Sequence, residues 1–85
     1  MKKFTYRITD REGLHARPAG LLAKAAGDFP CSVTVEKDGK LANAKGILGL
    51  MRMAVKCGEE VTVTCSGERE AEAEVSLQQF FQQNL

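Results

Sequence analysis

The residues best suited to chemistry lie in one short run, Gly13-Leu14-His15-Ala16-Arg17-Pro18. His15 is the only histidine of the 85-residue chain, and a neutral imidazole nitrogen has a lone pair that can attack phosphorus. Arg17, two residues later, has planar N–H donors that suit phosphate oxygens. The pair indicates a histidine that accepts a phosphoryl group. The alternative is that His15 only caps a helix and Arg17 is a solvated charge.

A helix that begins directly after His15 would position this pair. Apolar residues recur at three- and four-residue intervals from residue 16 to 27, which predicts a helix with Pro18 in its first turn and Gly27 at its end. The first N–H groups of a helix have no partner inside it. Those of Ala16 and Arg17 would therefore form a phosphate-binding backbone beside the imidazole.

Alternating apolar residues predict four strands, and helical spacing predicts two more helices. The strands cover residues 2–8, 31–36, 40–43 and 60–65, and the helices cover 16–27, 47–53 and 70–83. Asp38-Gly39 is typical of a two-residue hairpin turn. We expect one α+β domain over residues 1–85, in which three helices pack on one face of a four-stranded antiparallel sheet and the other face stays open. The predicted core comprises Phe4, Tyr6, Ile8, Val33, Val35, Val61, Val63, Cys65, Ala73, Leu77, Phe80 and Phe81.

The segment 47–53, Ile-Leu-Gly-Leu-Met-Arg-Met, is a second candidate site. It has more apolar side chains than one face of two helical turns can bury, so we expect some to be exposed. An exposed apolar patch near an acceptor site suggests docking of a partner protein, and methionine suits a surface that meets several partners. The alternative is that all of these side chains pack inward.

Composition excludes several other classes of protein. No GxxxxGK[ST] motif and no carboxylate cluster for Mg²⁺ is present, so a phosphoryl group must come from and leave to other proteins, without a cofactor. The three cysteines, Cys31, Cys57 and Cys65, are odd in number and lack CxxC spacing, which argues against a disulfide framework and a metal site. No apolar run could cross a membrane, and no signal-peptide core is present, so we expect a cytoplasmic protein.

The overall charge of +1 argues against a nucleic-acid partner, but the charge is unevenly distributed. Residues 1–58 contain 11 basic and 5 acidic residues, whereas residues 59–85 contain 1 basic and 6 acidic residues. A basic body can attract anionic partners, and Lys24 and Arg52 are candidates for that surface. The alternative is random scatter of surface charge.

Four segments resemble the family of the histidine-containing phosphocarrier protein HPr of the bacterial phosphoenolpyruvate–sugar phosphotransferase system. They are GLHARPA at 13–19, KDGK at 37–40, AKGILGLM at 44–51 and GEEVTVTCSG at 58–67. The resemblance implies an open-faced β-sandwich. It also implies that His15, through Nδ1, takes a phosphoryl group from enzyme I and gives it to enzyme IIA proteins, with Arg17 neutralising the group. We expect partner contacts at Leu14, Gly20, Lys24, Ile47, Leu48, Met51 and Arg52, and a monomer.

Three positions depart from the family pattern. Gly46 stands where many members have a regulatory serine, so serine phosphorylation there is impossible. Ala54 replaces a glycine after the short helix, so the local turn could differ. Glu12 replaces a small polar residue, and its carboxylate would repel a phosphoryl group or pair with Arg17. We therefore expect Glu12→Asn or Glu12→Ser to speed phosphorylation by enzyme I.

Other functions stay open at this point. One is a related carrier in a relay that does not serve sugar uptake. Another is a regulatory binding module that uses the 47–53 patch while His15 is idle. A small RNA-binding domain is disfavoured by the acidic tail and the lack of aromatic stacking residues on the strands.

Overall fold

The computed structural model describes all 85 residues and contains each predicted element, with ends that shift by at most one residue. In chain order the elements are β1 (Lys2–Arg7), α1 (Ala16–Gly27), β2 (Ser32–Lys37), β3 (Lys40–Asn43), α2 (Ile47–Arg52), β4 (Glu60–Ser66) and α3 (Glu70–Asn84). The predicted α+β class is confirmed.

The four strands form one antiparallel sheet in the order β1-β4-β2-β3. The central strand β4 pairs with β1 on one side and with β2 on the other, with Val63 opposite both Phe4 and Val35. Side chains alternate across the sheet, so valines lie on the inner face and threonines on the outer one. The helices cover the inner face, and the outer face is open, which confirms the open-faced sandwich.

The core lies between the sheet and the helices, as the apolar pattern predicts. Phe81 of α3 is almost fully buried, and it meets the rings of Phe4, Tyr6 and Phe80 edge to face at centroid distances of 5.4–6.0 Å. This arrangement is the preferred one for aromatic pairs, and each pair adds about 0.5–1.5 kcal/mol beyond the area it buries. These contacts fix α3 against β1 and thereby hold the N-terminal strand under the site.

Two predicted turns are present. Asp38 and Gly39 have φ values of 51° and 82°, so the hairpin uses the predicted two-residue turn. The helix α1 ends at Gly27, as predicted, and its last turn tightens without a left-handed residue, because the N–H of Asp28 donates to the carbonyl of Ala25. No helix in the structure has the length and apolarity to cross a membrane.

The three cysteines are free thiols. Cys31 and Cys65 are buried, the latter as predicted, and Cys57 is exposed. Burial raises the pKa of the Cys65 thiol to about 11, so it packs in the core as a neutral group.

Candidate phosphoryl-acceptor site

His15 is the residue from which α1 begins. Its backbone is extended, with φ −85° and ψ −173°, and its carbonyl oxygen accepts the N–H of Ala19 at 2.9 Å. The imidazole makes no capping hydrogen bond, and the side chain is 34% exposed. The backbone of His15 thus starts the helix, while the ring is left free for chemistry.

Groups that suit an anion surround the ring. The N–H groups of Ala16 and Arg17 cannot bond within the helix, and both residues are exposed. The Arg17 guanidinium makes no ion pair or hydrogen bond. A small cavity of about 80 Å³ brings Arg17 beside His15, and it is lined further by Asp10, Pro18, Leu21 and Asn84. This arrangement can hold a phosphoryl group against the imidazole.

Two carboxylates also face the imidazole, one at each nitrogen. Asp10 Oδ1 is 3.8 Å from Nε2 of His15, and Glu12 Oε2 is 3.7 Å from Nδ1. The expected alternative, a pair between Glu12 and Arg17, is not formed. The sequence reasoning missed Asp10. The signal that could have found it is an aspartate in a loop, two residues before Glu12, since aspartate often accepts the N–H two residues later. Asp10 Oδ1 does accept the Glu12 N–H, at 2.8 Å.

Gly13 fixes this loop against the segment that follows α2. Its φ is +69°, and a β-carbon here would lie 2.2 Å from the carbonyl oxygen of Val55. The same oxygen accepts the N–H of Leu14 at 2.9 Å. Only glycine allows so close an approach, so the place of His15 depends on a contact some 40 residues away in the chain.

The exposed residues of α2 lie near the site. Ile47, Leu48 and Met51 are 46%, 69% and 41% exposed, whereas Leu50 and Met53 are buried. The alternative that all apolar residues of this segment pack inward is wrong. Met51 lines a shallow hollow that also contains His15, so the apolar patch continues into the candidate site.

The other predicted contacts divide into two groups. Gly20 is half-buried where α1 meets α2, and a β-carbon there would touch Ile47. It shares a helix face with Arg17, Lys24 and the exposed Leu21, which the sequence reasoning missed because its apolar character suggested the core. These residues form a surface continuous with the site.

Leu14 and Arg52 do not match the expectation of docking contacts around His15. Leu14 is only 4% exposed, so it supports the site from within the core. Arg52 lines a separate hollow with Leu41, between α2 and β3. Consecutive residues of a helix point to different sides of it, so Arg52 does not share the face that Met51 presents to His15.

The two departures near α2 are accommodated. Gly46 precedes the helix in an extended conformation, with φ −113° and ψ 114°. Ala54 has φ +52°, so the turn is left-handed although alanine adopts this conformation at a cost.

A family model described as the PTS HPr component phosphorylation site matches residues 2–83. The phosphocarrier protein HPr of Mycoplasma capricolum is 42% identical over 93% of this chain and 89% of its own length. The HPr-like protein Crh of Bacillus subtilis is 47% identical over 88% of each chain.

Solved structures agree with the sequence relatives. The histidine-containing phosphocarrier protein of Mycoplasma matches with a TM-score of 0.90 and 40% identity, over 93% of this chain and 90% of that one. A crystal structure of Crh from Bacillus subtilis, described as a dimer with a swapping domain, matches with a TM-score of 0.78 and 42% identity, over 100% and 98%. The chain belongs to the HPr phosphocarrier family of the phosphotransferase system.

Proposed function

We propose that this chain accepts a phosphoryl group on His15 from phosphorylated enzyme I and passes it to enzyme IIA proteins. In the first step Nδ1 of His15 bonds to phosphorus, the donor's bond to phosphorus breaks, and the ring proton leaves. The second step reverses these roles with the acceptor. The chain is thus a substrate and relay in the cytoplasm, the compartment expected from its sequence, and not an enzyme with its own small-molecule turnover.

The observation that carries this proposal is the free imidazole of His15 beside the unpaired guanidinium of Arg17 and the first N–H groups of α1. His15 and Arg17 line one small cavity, and Ala16, at the start of α1, lines a second hollow with His15. Arg17 and the helix start supply positive charge, which stabilises the transferring group.

Incubation with enzyme I and phosphoenolpyruvate tests the proposal. We expect the chain to gain the mass of one phosphoryl group, and the product to be labile in acid and stable in base, as a phosphoramidate is. His15→Ala should abolish the gain, and because the chain has no other histidine, no second site can replace it. Arg17→Ala should fold normally but transfer about 100-fold more slowly, since it removes one charged donor. A mass gain that persists in His15→Ala would refute the proposal.

We further propose that serine phosphorylation does not regulate the start of α2. Gly46 has no hydroxyl, and the nearby Lys45 N–H is already bonded to the side chain of Asn43 at 2.9 Å. A serine kinase specific for HPr proteins should leave the wild-type chain unlabelled and should label Gly46→Ser. Label on the wild-type chain would show that another serine is used.

A regulatory role without phosphotransfer is the second candidate, and the 47% identity to the HPr-like protein Crh favours it. The exposed Ile47, Leu48 and Met51 would then bind a partner while His15 is idle. The two roles differ in one measurement. Partner binding that is unaffected by His15→Ala, together with no labelling by enzyme I, would favour regulation. A panel of enzyme IIA proteins would also show whether the relay serves sugar uptake or another pathway.

We propose a monomer as the working form. The crystal structure described for Crh is a dimer with a swapping domain, so the state must be measured. In this chain β1 pairs with β4 of the same molecule along its full length, from Lys2 to Arg7. Sedimentation at several protein concentrations should give one species of monomer mass, and a concentration-dependent dimer would contradict the proposal.

A further inference from the structure

Glu12 and Asp10 place a carboxylate at each nitrogen of the acceptor ring. The distances are 3.7 Å from Glu12 Oε2 to Nδ1 and 3.8 Å from Asp10 Oδ1 to Nε2. A phosphoryl group on either nitrogen therefore lies beside a negative charge. Like charges at this separation repel, and exclusion of water from a protein complex strengthens the repulsion.

The chain itself does not neutralise Glu12. Arg17 makes no ion pair with it, and Lys56, which lines the same shallow hollow, makes none either. The backbone also cannot withdraw the carboxylate, because the Glu12 N–H is bonded to Asp10 and the next residue, Gly13, is wedged against Val55. The backbone of Glu12 is thus held at the rim of the site.

Glu12 also stands in the surface that a partner must cover. Its side chain is 75% exposed, and it shares the hollow with His15 and Met51. A partner that brings a phosphoryl group to His15 buries this carboxylate at the interface. A buried carboxylate without a partner weakens binding strongly, whereas one that meets a cation contributes specificity.

We propose that Glu12 determines partner specificity by pairing with an arginine or lysine that the phosphoryl-donor protein presents opposite it. The inference rests on the proposed function of His15. The surrounding surface contains Arg17 and Lys24, which suit an acidic partner surface. The matching partner therefore has an acidic docking face that includes one arginine or lysine side chain. A phosphorylated protein without this cation binds poorly, because Glu12 repels its phosphoryl group.

Two phosphoryl donors separate this role from simple repulsion. Phosphoramidate is a small donor without a cationic side chain; the imidazole nitrogen bonds to its phosphorus, the P–N bond breaks, and ammonia leaves as the ring proton is released. In Glu12→Gln we expect phosphoramidate to label His15 about threefold to tenfold faster, because the repulsion is gone. With enzyme I we expect kcat/KM to fall about tenfold, because the donor's cation loses its partner. This replaces the expectation from the sequence that a neutral residue at position 12 speeds the reaction with enzyme I, which considered only the repulsion.

Two variants serve as controls. Glu68→Gln removes the same charge at the opposite end of β4, where Glu68 makes no ion pair, and should change neither rate. Lys56→Gln tests neutralisation within the chain and should leave the phosphoramidate rate unchanged. A slower phosphoramidate reaction in Lys56→Gln would show that Lys56 neutralises Glu12 and would overturn the proposal.

The outcome with enzyme I distinguishes the inference from the function on which it rests. If the wild-type chain is labelled by both donors, and Glu12→Gln is faster with both, Glu12 only repels the phosphoryl group and the specificity role is refuted. If phosphoramidate labels the wild-type chain but enzyme I does not, the proposed function fails and the inference fails with it.

Discussion

The two loops that flank the central strand β4 are built in the same way. In the loop 54–59, before the strand, Glu59 Oε1 accepts the N–H of Lys56 at 2.6 Å. In the loop 67–69, after the strand, Gly67 donates its N–H to Glu70 Oε1 at 2.9 Å. In both loops the carboxylate lies three residues after the N–H it binds, and the N–H of the same glutamate donates back to the carbonyl of that residue, so a side-chain bond reinforces the backbone bond of the turn.

The likeness extends to charge and to backbone strain. Glu59 meets Nζ of Lys37 at 3.2 Å, and Glu70 meets the N-terminal ammonium group. Each loop also contains one non-glycine residue in the left-handed region, Ala54 with φ 52° and Arg69 with φ 63°. Each loop thus combines a strained residue with a glutamate that holds the turn closed.

The two loops differ in what they touch. The loop 54–59 supports the candidate site, since Val55 accepts the Leu14 N–H and the thiol of Cys57 lies 3.6 Å from the carbonyl oxygen of Thr9. The loop 67–69 contacts the far end of the molecule, where the Arg69 guanidinium lies over the ring of Phe29. A change that disturbs the Val55 contact or the Glu59 bond of the first loop should therefore alter stability and phosphotransfer together, and a change in the second loop should alter stability alone.

Gly13→Ala should have the largest effect, because it breaks the contact between the first loop and the site. The new methyl group would lie 2.2 Å from the Val55 carbonyl oxygen in a left-handed conformation. We expect the free energy of unfolding to fall by about 3 kcal/mol, and transfer by the folded fraction to fall at least tenfold, because both strain and overlap must be relieved. Denaturant unfolding and labelling by enzyme I measure the two effects.

Gly58→Ala is the matched control for this substitution. Gly58 has φ +88°, but a β-carbon there meets nothing within 4 Å. The variant should lose only the conformational term, about 1–2 kcal/mol. Equal effects of the two substitutions on transfer would show that the contact between Gly13 and Val55 does not position His15.

The strands and helices could be predicted from the sequence, but the contacts of these loops could not. The valines of β2 and β4 reveal their strands because each strand buries one face, and the spacing after His15 reveals α1 for the same reason. The carboxylate contacts at the imidazole are different. Asp10 and Glu12 reach the ring only because Gly13 is held by Val55, and no local pattern encodes that long-range contact.

The same limit applies to the face that α2 presents. Its apolar density shows that some side chains must be exposed, but not which ones. Ile47 and Met51 are exposed while Leu50 is buried because α2 is placed by its contacts with α1 and β3. The position of Arg52 beside Leu41 follows from that placement too, and the charge pattern alone could not predict it.

Glu59→Gln and Glu70→Gln compare the two loops through their pH dependence. A hydrogen bond from the backbone N–H of Lys56 lowers the pKa of Glu59, and a second one from the Lys37 side chain lowers it further. The Gly67 N–H and the N-terminal ammonium group lower that of Glu70. A carboxyl whose folded-state pKa is lowered contributes stability above its unfolded pKa and loses it as the pH falls through the folded value.

Both glutamine variants should therefore lose stability at neutral pH and show a flatter decline in acid than the wild-type chain. Only Glu59→Gln should also slow labelling of His15, by about threefold, because only its loop holds the Val55 carbonyl. Unfolding curves from pH 7 to pH 3 and initial labelling rates provide the comparison. Slower labelling in Glu70→Gln would contradict the division between the loops.

Charge reversal extends the comparison to the surfaces beside the two ends. Lys24 is exposed on the face of α1 that carries Arg17, whereas Arg52 faces the hollow beside Leu41. Lys24→Glu should slow transfer from enzyme I about threefold to tenfold at low salt, and Arg52→Glu by a smaller factor. Both effects should shrink as salt rises, because exposed charges are screened.

Glu72→Lys and Glu74→Lys, which reverse charges on α3, provide the control. They should leave the transfer rate unchanged, although Glu72→Lys also removes the ion pair with Arg69. Rates measured between low and high salt for all four variants decide the matter. Similar slopes for α1 and α3 variants would mean that the uneven charge along the chain is only surface scatter.

Ala54→Gly should have the smallest effect, and it isolates the strain that the two loops share. Alanine at φ +52° costs about 1 kcal/mol, which glycine would relieve. Part of this stabilisation is offset because glycine makes the unfolded chain more flexible. We expect a net stabilisation of about 0.5 kcal/mol and an unchanged transfer rate.

Arg69→Gly relieves the same strain but loses the contact with Phe29 and the pair with Glu72, so it should stabilise less or not at all. Thermal unfolding of the two variants ranks them, and a larger gain at position 69 would mean that those side-chain contacts contribute nothing to the second loop.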